Sequence, residues 1–583
     1  MPKTHFFLLF ALCLCAAAAF GQTNFYVSKT GNNANSGLSP AQAWKTIQHA
    51  MNVAPPNSVV NIMAGTYKEK LVLNVSGLPG QRILFRNHNA DVVTLNGGGV
   101  SGQTMLEIVN KNHVTVQGLR ITNNQQLWAE GIRVEGNCQG IEIRDCRIWA
   151  INFSTNASQP ANPSRNSNPL LVIGNIDNQP ISGLVIHGNH IYSNRTGYSE
   201  NLTVTGNVDG FEVTNNTVYN NKNIGIDLIG GYGEVADPNQ DCARNGLVRG
   251  NICYNNKSAY ATAAGIYVDG ARNLVLENNT CYKNQWGIEV GAEEPGARAE
   301  NIIVRNNLIY NNDESGLACG GYNFPSTGKV VNAQFYGNTL LLNDRTGPGE
   351  GEIFLSYSEN CTFRQNIVFA RKEFFLTHDG IPSPAPPTLD YNCWWRAGGN
   401  QTTAEFERNG VNYIGFANYR TATGQDAHSI FADPKLTSAS ASAPDAHLLA
   451  ASPCINAGNP AFVPAPTERD LDLAARVVGG RVDIGADESS APISGDSEER
   501  NILTINSLES VFPNPSHGIF QVKLAENMSN ETTMLRVFDL AGRLVFEKTG
   551  CQQLETIDLR GRPAGVYFLQ IGGSAAQKLM LTW

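Results

Sequence analysis

The segment NHIYSN (residues 189–194) recurs through the middle of the chain and decides the fold. Its copies are NTVYNN (216–221), NICYNN (251–256), NTCYKN (279–284) and NLIYNN (307–312). The first Asn of each copy follows the previous one by 27, 35, 28 and 28 residues. A period in this range indicates a stacked-repeat solenoid. Short apolar runs separated by turns within each period predict one coil of a right-handed parallel β-helix.

Equivalent residues of successive coils are expected to stack at the strand spacing of about 4.8 Å. An Asn at a recurring corner then hydrogen-bonds its neighbours in the coils above and below, which explains the abundance of Asn without any catalytic role. The Tyr of each copy forms a second column. Cys253 and Cys281 share a column with apolar residues, so we expect them to be buried.

Composition and charge exclude several classes of protein. The chain has 583 residues, 57 Gly, 42 basic against 51 acidic side chains and a net charge of −9. Helical arrays need an excess of helix formers, and nucleic-acid binders need a basic surface. The sequence therefore predicts an all-β protein without a nucleic-acid partner.

The N-terminal residues 1–22 predict an export signal, because Lys3 precedes an apolar run and small residues. No later stretch is long and apolar enough to span a membrane. Residues 23–488 then form the β-helix, in which the helical spacing of residues 43–52 predicts a cap on the first coil.

The C-terminal part divides into a polar linker (489–505) and a small β-sandwich (506–583). The ordered motifs Pro513-Asn514-Pro515, Asp539-Leu-Ala-Gly542 and Pro563-Ala-Gly-Val-Tyr-Phe568 resemble the C-terminal sorting domain of the type IX secretion system. This resemblance implies a secreted or surface-attached protein of a Bacteroidetes-type bacterium, with the type IX machinery as a partner.

The opening of the β-helix resembles that of exported polysaccharide-active enzymes, including the family nine pectate lyases. The matching features are Phe25-Tyr-Val-Ser28, Trp44-x-Thr46-Ile47 and Gly65-Thr66-Tyr67. The resemblance implies a pectate-lyase-like β-helix with a polysaccharide substrate, which we expect to act as a monomer.

One strand per coil has the pattern Gly-Ile-x-Val-x-Gly, as in GIDLIG (225–230), GIYVDG (265–270) and GIEVGA (287–292). Its apolar positions point into the core, so the alternate positions point outward on one face. This places four candidate catalytic residues on three consecutive coils: Asp227, Tyr267, Asp269 and Glu289. The alternative is an ordinary solvated polar face.

An insertion at residues 230–246 follows the Asp227 strand and is expected to form one wall of a groove. It supplies Arg244 as a candidate substrate-binding residue. Three further candidates lie on the next coils: Trp286, Glu293 and Tyr322.

The stretch NVDGFEV (207–213) resembles the calcium-binding segment of the family nine pectate lyases, except that Val208 replaces its first Asp. Asp209 and Glu212 are therefore candidate calcium ligands, together with Asp227 and Asp269 across the coils. Calcium takes six to eight oxygen ligands. The sequence leaves calcium open and indicates no other cofactor.

Three functions stay open. The resemblance favours a lyase acting on a glycan that contains uronic acid, and the expectation leans that way. The Asp/Glu residues favour a glycoside hydrolase, because hydrolysis needs one protonated and one ionised carboxyl group. A non-catalytic glycan-binding surface protein or adhesin is the third alternative.

Overall fold

The computed structural model describes residues 21–346, 349–489 and, with short gaps, 508–581. Its main body is a parallel β-helix with three long sheets, and each coil contributes one strand to each sheet in turn. Within the described residues, the strands of successive coils pair in parallel, with one register shift between Phe374 and Leu376, and an antiparallel hairpin at residues 405–414 ends sheet 3. The predicted β-helix is therefore confirmed.

The strand bounds define the sheets. Sheet 1 contains Thr23–Val27, Ser58–Ile62, Ile83–Asn87, Val114–Gln117, Glu142–Arg144, Ile181–His187, Val208–Thr214, Ala243–Arg249, Arg272–Glu277, Arg298–Arg305, Lys329–Val331, Gln334–Tyr336, Ser358–Glu359, Thr362–Arg364 and Thr388–Asp390. Sheet 2 contains Gly65–Tyr67, Val93–Asn96, Arg120–Gln125, Arg147–Asn152, His190–Tyr192, Thr217–Tyr219, Ile252–Tyr254, Thr280–Tyr282, Leu308–Tyr310, Thr339–Leu341, Ile367–Ala370, Cys393–Arg396 and Ile430–Phe431. Sheet 3 contains Leu71–Val72, Thr104–Val109, Ala129–Glu135, Ser167–Gly174, Leu202–Gly206, Ile226–Ile229, Ala264–Asp269, Trp286–Gly291, Leu317–Cys319, Ile353–Leu355, Phe374–His378, Glu405–Arg408 and Val411–Ile414.

The corner asparagines form the expected buried ladder. Asn216 donates from its backbone N and its Nδ2 to Oδ1 of Asn251, at 3.0 Å each, and Asn251 repeats both bonds to Asn279. Each side chain also donates to a carbonyl of the core, as Asn251 does to Val213 at 2.9 Å. A buried polar side chain is stable only when such partners are present. The ladder therefore fixes the register of the coils.

The tyrosine column forms a continuous stack on the outer face of sheet 2. Ring centroids of successive members lie 4.8 to 5.0 Å apart, close to the strand spacing. The members are Tyr192, Tyr219, Tyr254, Tyr282 and Tyr310. Cys253 and Cys281 are buried in the neighbouring column, as expected.

Both ends of the β-helix core are closed. At the N-terminal end, helix α1 (Ile47–Val53) buries Ile47, Ala50 and Met51, and the Thr46 side chain caps it by accepting from the backbone N of His49. At the C-terminal end, helix α2 (Phe416–Thr423) packs its buried Phe416 and Tyr419 against the core. These caps cover apolar surface that the first and last coils leave unpaired.

Residues 430–489 return along the outer face of sheet 2. Their short hairpin pairs Leu436–Ser438 with Asp445–Leu448. Leu436, Leu448 and Ile484 pack with Tyr310 and Phe369 of that sheet in one buried cluster. This returning segment therefore covers the later half of the sheet.

The C-terminal part forms two antiparallel sheets. One contains Leu508–Phe512, Ile519–Leu524 and Leu554–Asp558, and the other contains Met534–Asp539, Leu544–Thr549, Gly565–Ile571 and Gln577–Leu581. The expected export signal and linker fall almost entirely on residues outside the described ones. Within the described residues, no helix is long and apolar enough to cross a membrane.

Candidate active site

The outer face of sheet 3 brings the four predicted catalytic residues together. In the strand register, Asp227 lies opposite Tyr267, which lies opposite Glu289, while Asp269 lies opposite Gly291. The columns expected from the Gly-Ile-x-Val-x-Gly pattern therefore occur in the structure. Asp269 and Glu289 are one strand apart and offset by two residues.

These residues line a groove of about 800 Å³ rather than an open polar face. Asp227 and Asp269 are only 2% exposed and Tyr267 only 4%, whereas Glu289 is partly exposed. We call this cavity the acidic groove, because six carboxyl groups line it: Glu200, Asp227, Glu234, Asp269, Glu289 and Glu293. Among the described residues that line it, none is Lys, Arg or His.

The insertion forms a wall of the acidic groove, as expected, and contributes Tyr232 and Glu234 to its lining. The Tyr232 Oη donates to Oδ2 of Asp269 at 2.7 Å and lies 3.5 Å from Oε2 of Glu293. The backbone N of Glu293 donates to the other oxygen of Asp269, also at 2.7 Å. Both oxygens of the Asp269 carboxylate are therefore held by donors from the groove walls.

The base of this insertion is folded around Asp241. Its carboxylate accepts from the backbone N of Gly233 at 2.6 Å and from that of Glu234 at 3.0 Å. Gly231 and Gly233 have positive φ angles of 93° and 80°, which an L-residue adopts only with strain. This turn directs Tyr232 toward Asp269.

Burial and mutual repulsion raise the pKa values of the carboxyl groups. Burial, followed by the negative charges of Glu293 and Asp269, raises the pKa of Glu289 to about 8. Burial and Glu293 raise the pKa of Asp269 to about 7, although the hydrogen bonds from Tyr232 and from the Glu293 backbone act in the opposite direction. Burial and the charge of Glu200 hold the pKa of Asp227 well above its usual range. The groove therefore holds protonated and ionised carboxyl groups together near neutral pH.

Three of the predicted residues do not reach the acidic groove. Arg244 lies on sheet 1, where its Nε donates to Asp209 at 3.2 Å and its guanidinium also donates to Asn207 and to the carbonyl of Gln240. Arg244 therefore does not line the acidic groove, and its contacts anchor the base of the insertion. Asp209 and Glu212 lie on the same sheet 1 strand, away from the sheet 3 carboxylates.

The calcium ligand set suggested by the resemblance does not fit this geometry. The two oxygens of Asp209 accept from Arg244 and from the Nδ2 of Asn245. Because a cationic side chain already neutralises this carboxylate, it is a poor calcium ligand. Asp209 also shares no sheet with Asp227 and Asp269, so no catalytic step is derived through calcium.

The remaining predicted binding residues line the acidic groove. Tyr322 is 69% exposed at its rim, where its ring is available for stacking. Trp286 is only 7% exposed and packs edge-on against Phe354, with centroids 5.3 Å apart, so it acts mainly in packing. Glu293 contributes through its backbone N and its carboxylate, as described above.

Sequence patterns missed Glu200 and Tyr232. Both lie in connections beside the strands, where the period-2 alternation that identified the other residues does not apply. Glu200 lies just before the Leu202–Gly206 strand and accepts from Thr203 at 3.2 Å. The length of the insertion gave the only signal for Tyr232.

Comparison with protein families supports the two-part organisation. Residues 182–368 match the right handed beta helix region, and residues 29–251 match a protein family of unknown function, DUF1565. Residues 510–581 match the secretion system C-terminal sorting domain. The expected type IX sorting domain is thus confirmed, and it assigns the protein to export through that system.

Solved structures of similar architecture include a GH136 lacto-N-biosidase from Eubacterium ramulus and the pectate lyase Pel9A. The first is 14% identical, with a TM-score of 0.45 over 64% of this chain and 67% of that one. The second is also 14% identical, with a TM-score of 0.43 over 80% of this chain and 96% of that one.

Among curated proteins, the uncharacterized protein YwoF of Bacillus subtilis (strain 168) is 32% identical over 467 residues. The match covers 74% of this chain and 95% of YwoF. A shared sequence over nearly the whole relative, together with the right-handed β-helix, shows that the chain belongs to the YwoF family.

Proposed function

We propose that the acidic groove is the active site of a glycoside hydrolase that acts on a neutral glycan. The observation that carries this proposal is the row of Asp227, Asp269 and Glu289 in a groove lined by no described cationic side chain. Glycoside hydrolysis needs one carboxyl group as an acid and a second as a base or nucleophile.

Glu289 has the properties of the general acid. The pKa of about 8 keeps its carboxyl group protonated at neutral pH, and its partial exposure gives it access to a substrate. From this position it donates a proton to the glycosidic oxygen as the bond to the sugar carbon breaks.

Asp269 has the properties of the complementary base. Its pKa lies below that of Glu289, and donors from Tyr232 and from the backbone of Glu293 stabilise its ionised form. Gly291 lies directly opposite it in the next strand, and the absence of a side chain there makes room for the Tyr267 hydroxyl. A water molecule beside the Asp269 carboxylate would lose a proton to it as it attacks the sugar carbon.

Elimination fits the acidic groove less well than hydrolysis. A lyase must neutralise the carboxylate of a uronic acid and remove a proton from the adjacent carbon. The described groove residues provide no cationic side chain for either task. Tyr267 is a poor base, because burial and the charge of Asp269 hold its pKa well above the usual range.

The shape of the acidic groove supports a chain-like substrate. Its lining extends from Asn168 and Leu171 to Phe354 and Ser356, across seven consecutive strands of sheet 3. At about 4.8 Å per strand, it is roughly 29 Å long. Exposed rings at Tyr198 and Tyr322 offer apolar surfaces for sugar rings along this path.

The test is a panel of neutral and acidic polysaccharides incubated with the wild-type protein and with Glu289→Gln. New reducing ends from a neutral glycan, without the ultraviolet absorbance of an unsaturated uronide, are the expected result. Loss of the general acid should lower kcat by about 10²–10⁴-fold. Glu212→Gln is the matched control, because Glu212 is exposed on sheet 1.

Two outcomes would contradict the proposal. An unsaturated uronide product would identify a lyase, and full activity of Glu289→Gln would exclude the assigned acid. Binding of a glycan without any cleavage would favour the non-catalytic alternative.

A further inference from the structure

A second groove lies on the other sheets of the β-helix. It has a volume of about 460 Å³ and lies at the corner between sheets 1 and 2. Three arginines from successive coils line it, together with two aspartates: Arg86, Arg120, Arg147, Asp91 and Asp145. We call it the arginine groove.

The arginines of this groove lack ion-pair partners. Within the described residues, no carboxylate oxygen lies within 4.0 Å of the guanidinium nitrogens of Arg86, Arg120 or Arg147. Arg86 donates only to the Oδ1 of Asn61, at 3.0 Å. By contrast, three other arginines of the same coils each pair with a glutamate: Arg82, Arg133 and Arg144. The free charges therefore do not reflect a shortage of acidic groups in this protein.

Arg120 and Arg147 lie directly opposite one another in adjacent parallel strands of sheet 2. Like charges in this position destabilise a sheet. The next residue of the same column is His190, whose pKa is lowered by burial and by Arg147. The strand register therefore holds two like charges side by side, a repulsion that an anionic ligand between the guanidinium groups would relieve.

The two aspartates are held by donors other than these arginines. Oδ2 of Asp91 accepts from the backbone N of Ala64 at 3.0 Å, and Oδ2 of Asp145 accepts from Nε2 of Gln117 at 2.9 Å. Their remaining lone pairs provide acceptors at the side of the groove. A ligand that carries both an oxyanion and hydroxyl groups satisfies the arginines and the aspartates together.

We propose that the arginine groove binds an acidic sugar unit of a glycan, separately from the acidic groove. Guanidinium groups bind oxyanions through paired N–H donors, and carboxylates accept from sugar hydroxyls. The volume lies within the range of small-molecule sites. The protein then contacts an anionic glycan on one face while the acidic groove acts on a neutral chain.

The experiment measures binding to the full chain by calorimetry. The probes are an oligogalacturonate, a sulfated dextran and a neutral cello-oligosaccharide, and the proteins are wild type, Arg120→Gln/Arg147→Gln and Arg298→Gln. Arg298 is the matched control, because its side chain is also exposed but lies on sheet 1, away from the arginine groove, and pairs with Glu300. The titrations are also carried out with Glu289→Gln. Because this variant is expected to cleave poorly, its titrations report binding to the arginine groove without heat from turnover in the acidic groove.

We expect wild type to bind an acidic probe, with affinity that falls as salt rises. The affinity of the double variant for the acidic probe should be at least about tenfold lower than that of wild type, while the affinity of Arg298→Gln should be unchanged. The melting temperature of the double variant should equal or exceed that of wild type, because a repulsive pair has been removed. A preference between the two acidic probes would identify a carboxylated or a sulfated sugar.

Equal binding by wild type and the double variant would overturn the proposal. So would an absence of binding to both acidic probes. Neither result depends on whether the acidic groove cleaves a glycan, and retained oligogalacturonate binding in Glu289→Gln would support this site even if the hydrolase assignment failed.

Discussion

The Tyr232 hydroxyl donates to the Asp269 carboxylate at 2.7 Å, linking the insertion to the floor of the acidic groove. This bond lowers the pKa of Asp269 against the stronger effect of burial. In the proposed hydrolase, Tyr232 is therefore a positioning residue, which orients Asp269 and favours its ionised form while the two carboxyl groups carry out the proton transfers.

Tyr232→Phe tests this role. Removing the donor should raise the pKa of Asp269, so the acidic limb of the pH–activity profile should move to higher pH by about one unit. Activity measured across pH, with kcat and KM separated, provides the readout. Tyr198→Phe is the control, because Tyr198 lines the same groove without this bond. An unshifted acidic limb would contradict the assignment.

The stereochemistry of the product is a second prediction. Asp269 and Glu289 are offset by one strand and two residues, so their Cβ atoms lie about 8 Å apart. Inversion of the anomeric carbon needs carboxyl groups about 6.5–9.5 Å apart, with room for a water molecule, and this Cβ spacing is compatible with that separation. Proton NMR of the first-formed sugar identifies the anomer. A retained anomer would exclude Asp269 as a base that acts through water.

A third prediction concerns stability against pH. The folded-state pKa of Glu289 is raised from 4.5 to about 8, so folded protein binds this proton more tightly than unfolded protein does. The associated stability is fully present below about pH 4.5 and is lost as pH rises through about 8.

Glu289→Gln removes this dependence. The variant should unfold with a higher free energy than wild type at pH 8–9, by roughly 3–5 kcal/mol, and the difference should shrink toward pH 4. Denaturant unfolding at both pH values measures it. A variant less stable than wild type at high pH would show that the carboxylate stabilises the fold.

The asparagine ladder gives a fourth prediction. Asn251→Ala removes the acceptor that the backbone N and the Nδ2 of Asn216 share, and a donor to the carbonyl of Val213, which should cost about 3–5 kcal/mol of unfolding free energy. Asn418→Ala is the control, because Asn418 is exposed on helix α2. Chemical unfolding compares the two. Similar losses in both variants would show that the ladder does not fix the coils.

The repeat made much of this architecture predictable. Stacked positions such as Asn251 and Tyr254 recur once in every coil, and the strand register brings Asp227, Tyr267 and Glu289 into one column although they are 40 and 22 residues apart. Once the coil is recognised, residues far apart in sequence become neighbours through the strand register alone. The predicted carboxylates converged for this reason.

The predictions that failed concern residues that the periodic strand pattern does not place. Arg244 falls within the segment assigned to the insertion (230–246), yet it belongs to the first strand of the next coil, Ala243–Arg249, and faces Asp209. Tyr232 and Glu200 are placed by turns whose paths depend on contacts such as those of Asp241. A periodic pattern carries no information about such paths.

The in-register stacking of coils also determines the length of the acidic groove. Each coil adds one strand to sheet 3 and therefore about 4.8 Å to the acidic groove. Duplicating or deleting a whole coil would lengthen or shorten the path for a sugar chain without changing the corners that hold the coils together. On the proposed function, the number of coils in sheet 3 would thus set the length of the glycan segment that the acidic groove holds.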